Sequence, residues 1–110
     1  MTVSGSTARQ FLAKRRIDVE EVETAETGFA RFENGKADAM VFDASVLQHH
    51  IQVTDSDRLT LVGNVFQRED CGIALPTGSN HRKAVNSTIL EMRADGAYDR
   101  IFEHYFGRIR

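Results

Sequence analysis

Short apolar segments alternate with amphipathic stretches along the chain, and this alternation predicts the order of its elements. Strands are predicted where apolar residues cluster in short runs, at residues 1–4, 17–22, 37–42, 59–62 and 72–75. Helices are predicted where apolar residues recur every three or four positions, from Ser6 or Thr7 to about Arg15, from Thr24 to Asn34, from Asp43 to about Ile51, from Asn80 to Arg93 and from Tyr98 to Phe106.

The resulting order, β-α-β-α-β-α-β-β-α-α, is typical of an α/β domain. Helices that alternate with short apolar strands imply a parallel sheet with crossover helices. Ser6 or Thr7 and Thr24 are suitable helix N-caps, and Asn34-Gly35 is a natural helix end. Residues 64–70 form the one candidate linker, which separates a compact α/β half from a tail of one strand and two helices.

Composition and charge narrow the class of protein. The chain has 110 residues, of which 41% are hydrophobic and 27% charged, as in an ordinary small globular domain. A net charge of −2 and the absence of a long basic run argue against nucleic-acid binding. Cys71 is the single cysteine, so neither an intramolecular disulfide nor a cysteine-based zinc site is expected. No transmembrane helix and no signal peptide are predicted in this sequence.

The first candidate site is the corner Ser4-Gly5-Ser6-Thr7, between the first predicted strand and the first predicted helix. Gly5 would let the backbone approach a ligand. The first-turn N–H groups, with the hydroxyls of Ser6 and Thr7, would favour a carboxylate or a phosphate. The competing interpretation is an ordinary Ser/Thr N-cap, and composition alone favours it.

The second candidate site is Asp43, which directly follows the predicted strand at 37–42. In open parallel sheets, ligands bind beyond the carboxyl ends of the strands, where the helices begin. Asp43 is either a helix N-cap or a fixed carboxylate that faces the first corner. An anion cradle and an acid that converge on one cleft would suit a zwitterion, because an amino acid carries both a carboxylate and an ammonium group.

Other chemistry finds little support in the sequence. His49-His50 lacks a third metal ligand, so no metal site is expected. The stretch GIALPTGS has glycines but no phosphate-loop lysine, and no nucleophile elbow or catalytic triad is present. We therefore expect no catalytic residue, no metal and no cofactor.

The order of particular sequence words identifies a family resemblance. SGSTARQFL, ENGKADAMVFDASVLQHHI and the long tail from LTLVGNVF through GIALPTGS to GAYDRIFEHYFG together resemble the type 2 periplasmic amino-acid-binding proteins. The similarity extends especially to the ligand-binding core of ionotropic glutamate receptors and their bacterial channel relatives. It covers roughly residues 3–107, and the motifs are specific as a set although each is weak alone.

The resemblance implies a two-lobed fold that closes over an amino acid. Residues 1–70 would form lobe 2, and residues 71–110 a hinge strand and C-terminal helices that pack on lobe 1. Ser6 and Thr7 would then donate to the ligand carboxylate, and Asp43 would hold its ammonium group. The amino-terminal part of lobe 1, with its carboxylate-binding arginine, has no counterpart here, so the chain is expected to be a fragment or one half of an assembly.

The resemblance implies an extracytoplasmic module, periplasmic or extracellular, that binds a glutamate-like amino acid without catalysing a reaction. It would belong to a solute-binding protein or to a ligand-gated ion channel. Expected partners are the amino acid, the missing lobe 1 or a second copy of the chain, and a permease or a channel pore. A cyclohexadienyl-dehydratase-like enzyme is the alternative, but no second titratable residue converges with Asp43. A purely structural fragment is the third hypothesis.

Overall fold

A computed structural model describes residues 1–108, which contain two short strands and five helices. In chain order they are β1 (Thr2–Val3), α1 (Thr7–Lys14), β2 (Glu21–Val22), α2 (Ala25–Glu33), α3 (Ala44–Thr54), α4 (His81–Ala94) and α5 (Ala97–Phe106). They form two compact units, Met1–Leu47 and Gln48–Arg110. All five predicted helices are confirmed, and the sequence-based division at residue 70 stays a prediction.

The sheet of the first unit is a parallel pair joined by the crossover helix α1. Thr2 pairs with Glu21 and Val3 with Val22. The backbone N–H of Thr2 donates to the carbonyl of Glu20 at 3.0 Å, and that of Ser4 donates to the carbonyl of Val22 at 2.8 Å. The predicted β-α-β unit is therefore present at the start of the chain, although each strand is shorter than the apolar pattern predicted.

Residues 39–41 lie beside β1 without forming a regular strand. The Met1 ammonium donates to the carbonyl of Ala39 at 3.0 Å, and the N–H of Val41 donates to the carbonyl of Met1 at 3.0 Å. This is the hydrogen-bond pattern of one parallel pairing step, with Met1 opposite Met40. The strand predicted at 37–42 is wrong in extent, because β1 offers it only a very short edge, and its side chains are half-buried or exposed rather than buried.

A small core holds these segments together. Val3, Leu12 and Val22 are its buried apolar side chains. Gly28 of α2 is also buried, and a Cβ at this position would lie 2.9 Å from Cε of Met40 and 3.2 Å from Cγ2 of Val22. Helix α2 therefore packs closely on one face of the sheet because it has no side chain at the point of contact.

The second unit is organised around its two C-terminal helices. Helices α4 and α5 pack on each other after a turn in which Gly96 adopts φ +79°, a left-handed conformation that favours glycine. The rings of Phe102 and Phe106 lie 4.8 Å apart, and Nδ1 of His49 lies 2.8 Å from the carbonyl oxygen of Tyr105. Aromatic contacts thus join the end of α5 to the later part of α3.

The strands predicted at 59–62 and 72–75 are wrong, because β1 and β2 form the only sheet within residues 1–108. Val62 is 81% exposed and Ile73 is 67% exposed. An apolar run becomes a strand only when a neighbouring strand satisfies its backbone groups, and the described part of the chain supplies none for these two runs. None of the helices in residues 1–108 is both long enough and apolar enough to cross a membrane.

Candidate functional site

The first corner follows β1 directly and begins helix α1. Ser6 is the N-cap, with Oγ accepting from the N–H of Arg9 at 3.1 Å. The same hydroxyl donates to the carbonyl of Val3 at 2.7 Å. The capping interpretation of Ser6 is therefore confirmed. Its proton and one lone pair are already in use, so a ligand at this corner would interact with backbone N–H groups before it met the Ser6 hydroxyl.

Gly5 supplies the bend at this corner. Its φ is +70°, in the left-handed region, and a Cβ at this position would meet no atom within 4 Å. Backbone conformation, rather than lack of space, is the reason for glycine here. Ser4 and Thr7, on either side of Gly5 and Ser6, are exposed to solvent. The four predicted residues thus form one open turn at the carboxyl end of β1.

A charged pair that the sequence analysis did not single out lies beside this turn. Nε of Arg9 donates to the carboxylate of Glu21, and the Ser4 hydroxyl is hydrogen-bonded to the same carboxylate. The Arg9 guanidinium, aided by the Ser4 hydroxyl, lowers the pKa of Glu21 against a smaller opposing effect of desolvation. Glu21 therefore connects the corner before α1 to the first turn of α1 itself.

Asp43 lies immediately before α3. Its carbonyl accepts from the N–H of Leu47 at 3.0 Å, as expected of the residue that precedes a helix. Its side chain is exposed. Unlike Ser6 and Thr24, Asp43 makes no side-chain capping hydrogen bond within the described residues. The capping interpretation does not account for this carboxylate.

The two candidate corners lie at the same edge of the first unit. Met1 and Met40 are paired, and Ser4 and Asp43 each follow three residues later in parallel segments. Fully buried Thr2 adds a second tie, because its Oγ1 donates to the carbonyl of Val41 at 2.7 Å. Paired parallel segments are roughly 4.8 Å apart, so the two corners begin from neighbouring positions at this edge.

A separate concavity lies in the second unit. An open concavity of about 750 Å³ lies at the start of α4, lined by residues 73, 75–80, 82 and 83, and none of the predicted site residues lines it. Within residues 1–108 no group of three or more His, Cys, Asp or Glu side chains could hold a metal ion. The residues predicted from the sequence to form the site lie instead at the carboxyl edge of the first unit.

Sequence reasoning missed Thr2, Arg9 and Glu21 as parts of this site. The sequence predicts Thr2 only as part of a strand, because the acceptor of its hydroxyl, the Val41 carbonyl, is distant along the chain. Arg9 and Glu21 have opposite charges, but their pairing depends on the register between α1 and β2. The signal in the sequence for this pair is a charged residue in the first turn of a helix followed by an opposite charge on the next strand.

Comparison with known proteins reveals relatives that bind amino acids. The chain is 32% identical over 92 residues to the L-cystine-binding protein TcyJ of Escherichia coli (strain K12), which covers 83% of this chain and 34% of TcyJ. It is 28% identical over 108 residues to the ABC transporter glutamine-binding protein GlnH of Bacillus subtilis (strain 168), which covers 96% of this chain and 39% of GlnH. No protein-family model matches the chain, and no solved structure shows significant similarity to it.

These relatives are binding proteins, in agreement with the prediction that the chain is not an enzyme. They support the coarse part of the family resemblance, to amino-acid-binding proteins of the solute-binding class. The chain spans about a third of the length of the curated relatives it matches. The particular resemblance to glutamate receptors has no counterpart among these relatives.

Proposed function

We propose that this chain is the ligand-binding lobe of an extracytoplasmic amino-acid-binding protein of the solute-binding class. The backbone N–H groups at the start of α1 and the Ser4–Thr7 corner receive the ligand carboxylate. Asp43 receives the α-ammonium group. The lobe performs no chemistry; it supplies half of the contacts that hold a zwitterion.

The observation that carries this proposal is the pairing of Met1 with Met40. It brings the end of β1 and the residue that precedes α3 to the same edge, which supports a site where one ligand meets both a helix N-terminus and an exposed carboxylate. A helix N-terminus favours an anion and a carboxylate favours a cation. The two charges of an amino acid are arranged in the complementary way.

Binding to one lobe alone is expected to be weak. Many of the contacts that bury a small ligand come from the opposite wall of a cleft, which a single lobe lacks. In a two-lobed protein the ligand contacts both walls only in the closed state. The difference between its affinities for the closed and open states determines how far it shifts the equilibrium toward the closed state. The other lobe, or a second copy of the chain, supplies that second wall.

Exposed apolar side chains in the second unit support such a partner. Leu90 is 68% exposed, Ile101 49% and Tyr105 52%, and they lie on α4 and α5. Exposed apolar groups on neighbouring helices favour association with another surface. Light scattering at increasing protein concentration tests whether the partner is a second copy of the chain, and a constant monomer mass would contradict that. If a separately supplied lobe 1 also failed to bind, the proposal of a partner surface on α4 and α5 would be wrong.

The proposed setting is a transporter in which the closed protein delivers its ligand to a permease. A glutamate-like ligand and a receptor-type channel remain the finer alternative, which rests on the sequence words SGST and GIALP. The flanking gene sequence separates the two, because a channel requires a pore segment in the same polypeptide. A permease gene beside this one favours the transporter.

Two-dimensional NMR titration of the ¹⁵N-labelled chain with L-glutamine tests the binding role directly. We expect shifts of the amides of residues 4–8 and 43–44, with an affinity in the millimolar range for a half-site, about −4 kcal/mol. Asp43→Asn should weaken binding severalfold because it removes the partner of the ammonium group. The matched control is Asp38→Asn, an exposed Asp on the same segment but before its pairing with β1.

The result is decisive in either direction. Equal affinities for Asp43→Asn and the unmodified chain would remove Asp43 from the site. Shifts confined to residues 73–83 would transfer the site to the concavity at the start of α4. Turnover of prephenate or arogenate by the full-length protein would favour the dehydratase alternative, in which Asp43 would act as an acid or base.

A further inference from the structure

The charge balance at the carboxyl edge of the first unit limits the kind of ligand side chain that fits there. Resting on the proposed function, we propose that Glu21 is a specificity-determining residue, through which the site takes amino acids with neutral or cationic side chains and rejects dicarboxylic ones. This departs from the glutamate-like ligand that the sequence words suggested. The inference depends on where the positive charges of residues 1–47 lie.

Arg9 is the one basic side chain at this edge, and Glu21 already pairs with it. Arg9 belongs to the first turn of α1, and its side chain is 33% exposed against 36% for Glu21. The Ser4 hydroxyl bonds to the same carboxylate. The Arg9 guanidinium is therefore linked to the Ser4 corner through the Glu21 carboxylate, and this carboxylate neutralises its positive charge.

The remaining basic side chains of the first unit lie at its opposite edge. Crossover helices run antiparallel to the strands they connect, so that their C-terminal ends lie at the amino edge of the sheet. Residues at or just after the ends of α1 and α2 supply these charges: Lys14, Arg15, Arg16, Arg31 and Lys36. Arg31 is in addition paired with Glu20, and Arg15 lies over the ring of Phe11.

The carboxyl edge, by contrast, has more acidic than basic side chains, because Arg9 is matched by Glu21 and further acids lie beside the pair. Glu23 follows β2, Glu26 lies in the first turn of α2, and Asp43 precedes α3. A second carboxylate on a ligand would approach these acids without an unmatched cation to compensate it. Transferring an unpaired carboxylate from water into the site costs free energy, whereas a neutral amide of the same shape lacks this charge and avoids most of that cost.

L-glutamine and L-glutamate are nearly isosteric and differ by one charge, so their affinity ratio isolates the effect. We expect the unmodified chain to bind glutamine more tightly in an NMR titration at low ionic strength, where screening is weak. Glu21→Gln keeps an acceptor for Ser4 but releases the charge of Arg9. It should reduce the preference for glutamine by roughly threefold to tenfold, as expected for one charge pair at a partly exposed site.

Two further variants distinguish charge from structure. Arg9→Gln should increase the preference for glutamine, because Glu21 then stands unpaired beside the site. The double variant with both substitutions restores the charge balance and should return the ratio to that of the unmodified chain. Amide dispersion in the same spectra shows whether each variant is folded, and Arg9→Gln tests the inference independently if Glu21→Gln unfolds the chain.

Failure of this inference is distinguishable from failure of the proposed function. Tighter binding of glutamate by the unmodified chain, or an unchanged ratio in Glu21→Gln, would overturn the specificity role and leave the binding function intact. Equal weakening of both ligands would reduce Glu21 to a structural residue and would also overturn it. Absence of shifts with either ligand in every variant would overturn the proposed function, and the specificity role with it.

Discussion

The hydroxyl of Thr2 holds residues 39–41 against β1, and Thr2→Val tests how much depends on it. Thr2 is fully buried, and its Oγ1 donates to the carbonyl of Val41 at 2.7 Å. Valine has almost the same shape, so the substitution leaves the packing in place and removes the donor. The Val41 carbonyl then loses this partner while the new methyl group stays buried.

The expected loss follows from two opposing effects. Depriving a carbonyl of its partner costs about 1–3 kcal/mol when the carbonyl is buried, and less for the part-buried carbonyl of Val41. Burying a methyl group in place of a hydroxyl returns part of this, at about 0.8 kcal/mol for a buried carbon. We therefore expect the first unit to lose up to about 2 kcal/mol. Asp43 follows the loosened segment, so affinity for L-glutamine should fall as well.

Amide hydrogen exchange of the Ser4 and Val41 amides is the appropriate assay, because the chain forms two compact units and one global transition cannot be assumed. The matched control is Thr88→Val. Oγ1 of Thr88 donates to the carbonyl of Ala84 at 2.8 Å, but at an exposed helix position. If both variants lost the same stability, burial of the Thr2 bond would have no special value and the argument would be refuted.

Two further predictions concern the packing and the charges of the first unit. Gly28→Val should destabilise this unit by about 1–3 kcal/mol, because a Cβ would already lie 3.2 Å from Cγ2 of the buried Val22, and valine adds two methyl groups to that contact. Exchange of the Ser4 amide measures this change, and unchanged protection would contradict the close packing. The pKa of Glu21 is lowered chiefly by Arg9, so the pair stabilises the fold above about pH 4.5, the ordinary glutamate value, and this contribution disappears as the pH falls through the lowered pKa. The stability difference between the unmodified chain and Glu21→Gln should shrink below that pH, and a pH-independent difference would exclude this role.

Helices were predictable because their determinants are local. Ser6 and Thr24 each accept a hydrogen bond from the backbone N–H three residues later. Asn34-Gly35 ends α2 with Gly35 at φ +70°. These features are contained within a few consecutive residues, so the sequence alone carries them.

Strands were predicted less well because an apolar run does not specify its partner. The runs at 59–62 and 72–75 have the composition of strands and remain unpaired within the described chain. The run at 37–42 gains a partner only at Met1, and so pairs for a single step. Non-local backbone pairing, rather than local preference, decides whether such a run becomes a strand.

The common edge of the two predicted corners follows from the sequence pattern, whereas the charges around them do not; that a ligand binds there stays a prediction. Both corners follow from the rule that ligands bind where parallel segments give way to helices, and both lie at that edge. Each corner is either a cap or a ligand site, and the structure shows a side-chain cap at the first corner only, within the described residues. Ser6 uses its hydroxyl as a cap, whereas the Asp43 carboxylate makes no such bond within the described residues.

The two corners therefore differ in how much they depend on a ligand. The turn before α1 is held in shape by Ser6, Arg9 and Glu21, and it is preorganised whether or not an anion is present. Preorganisation reduces the ordering cost of binding. Asp43 is instead located by the backbone pairing at Met1 and by the Thr2 hydroxyl, while its own side chain is unrestrained. On the proposed function, an ammonium group of the ligand would have to order that side chain, so we predict that substitutions at the acidic corner alter affinity most and fold stability least.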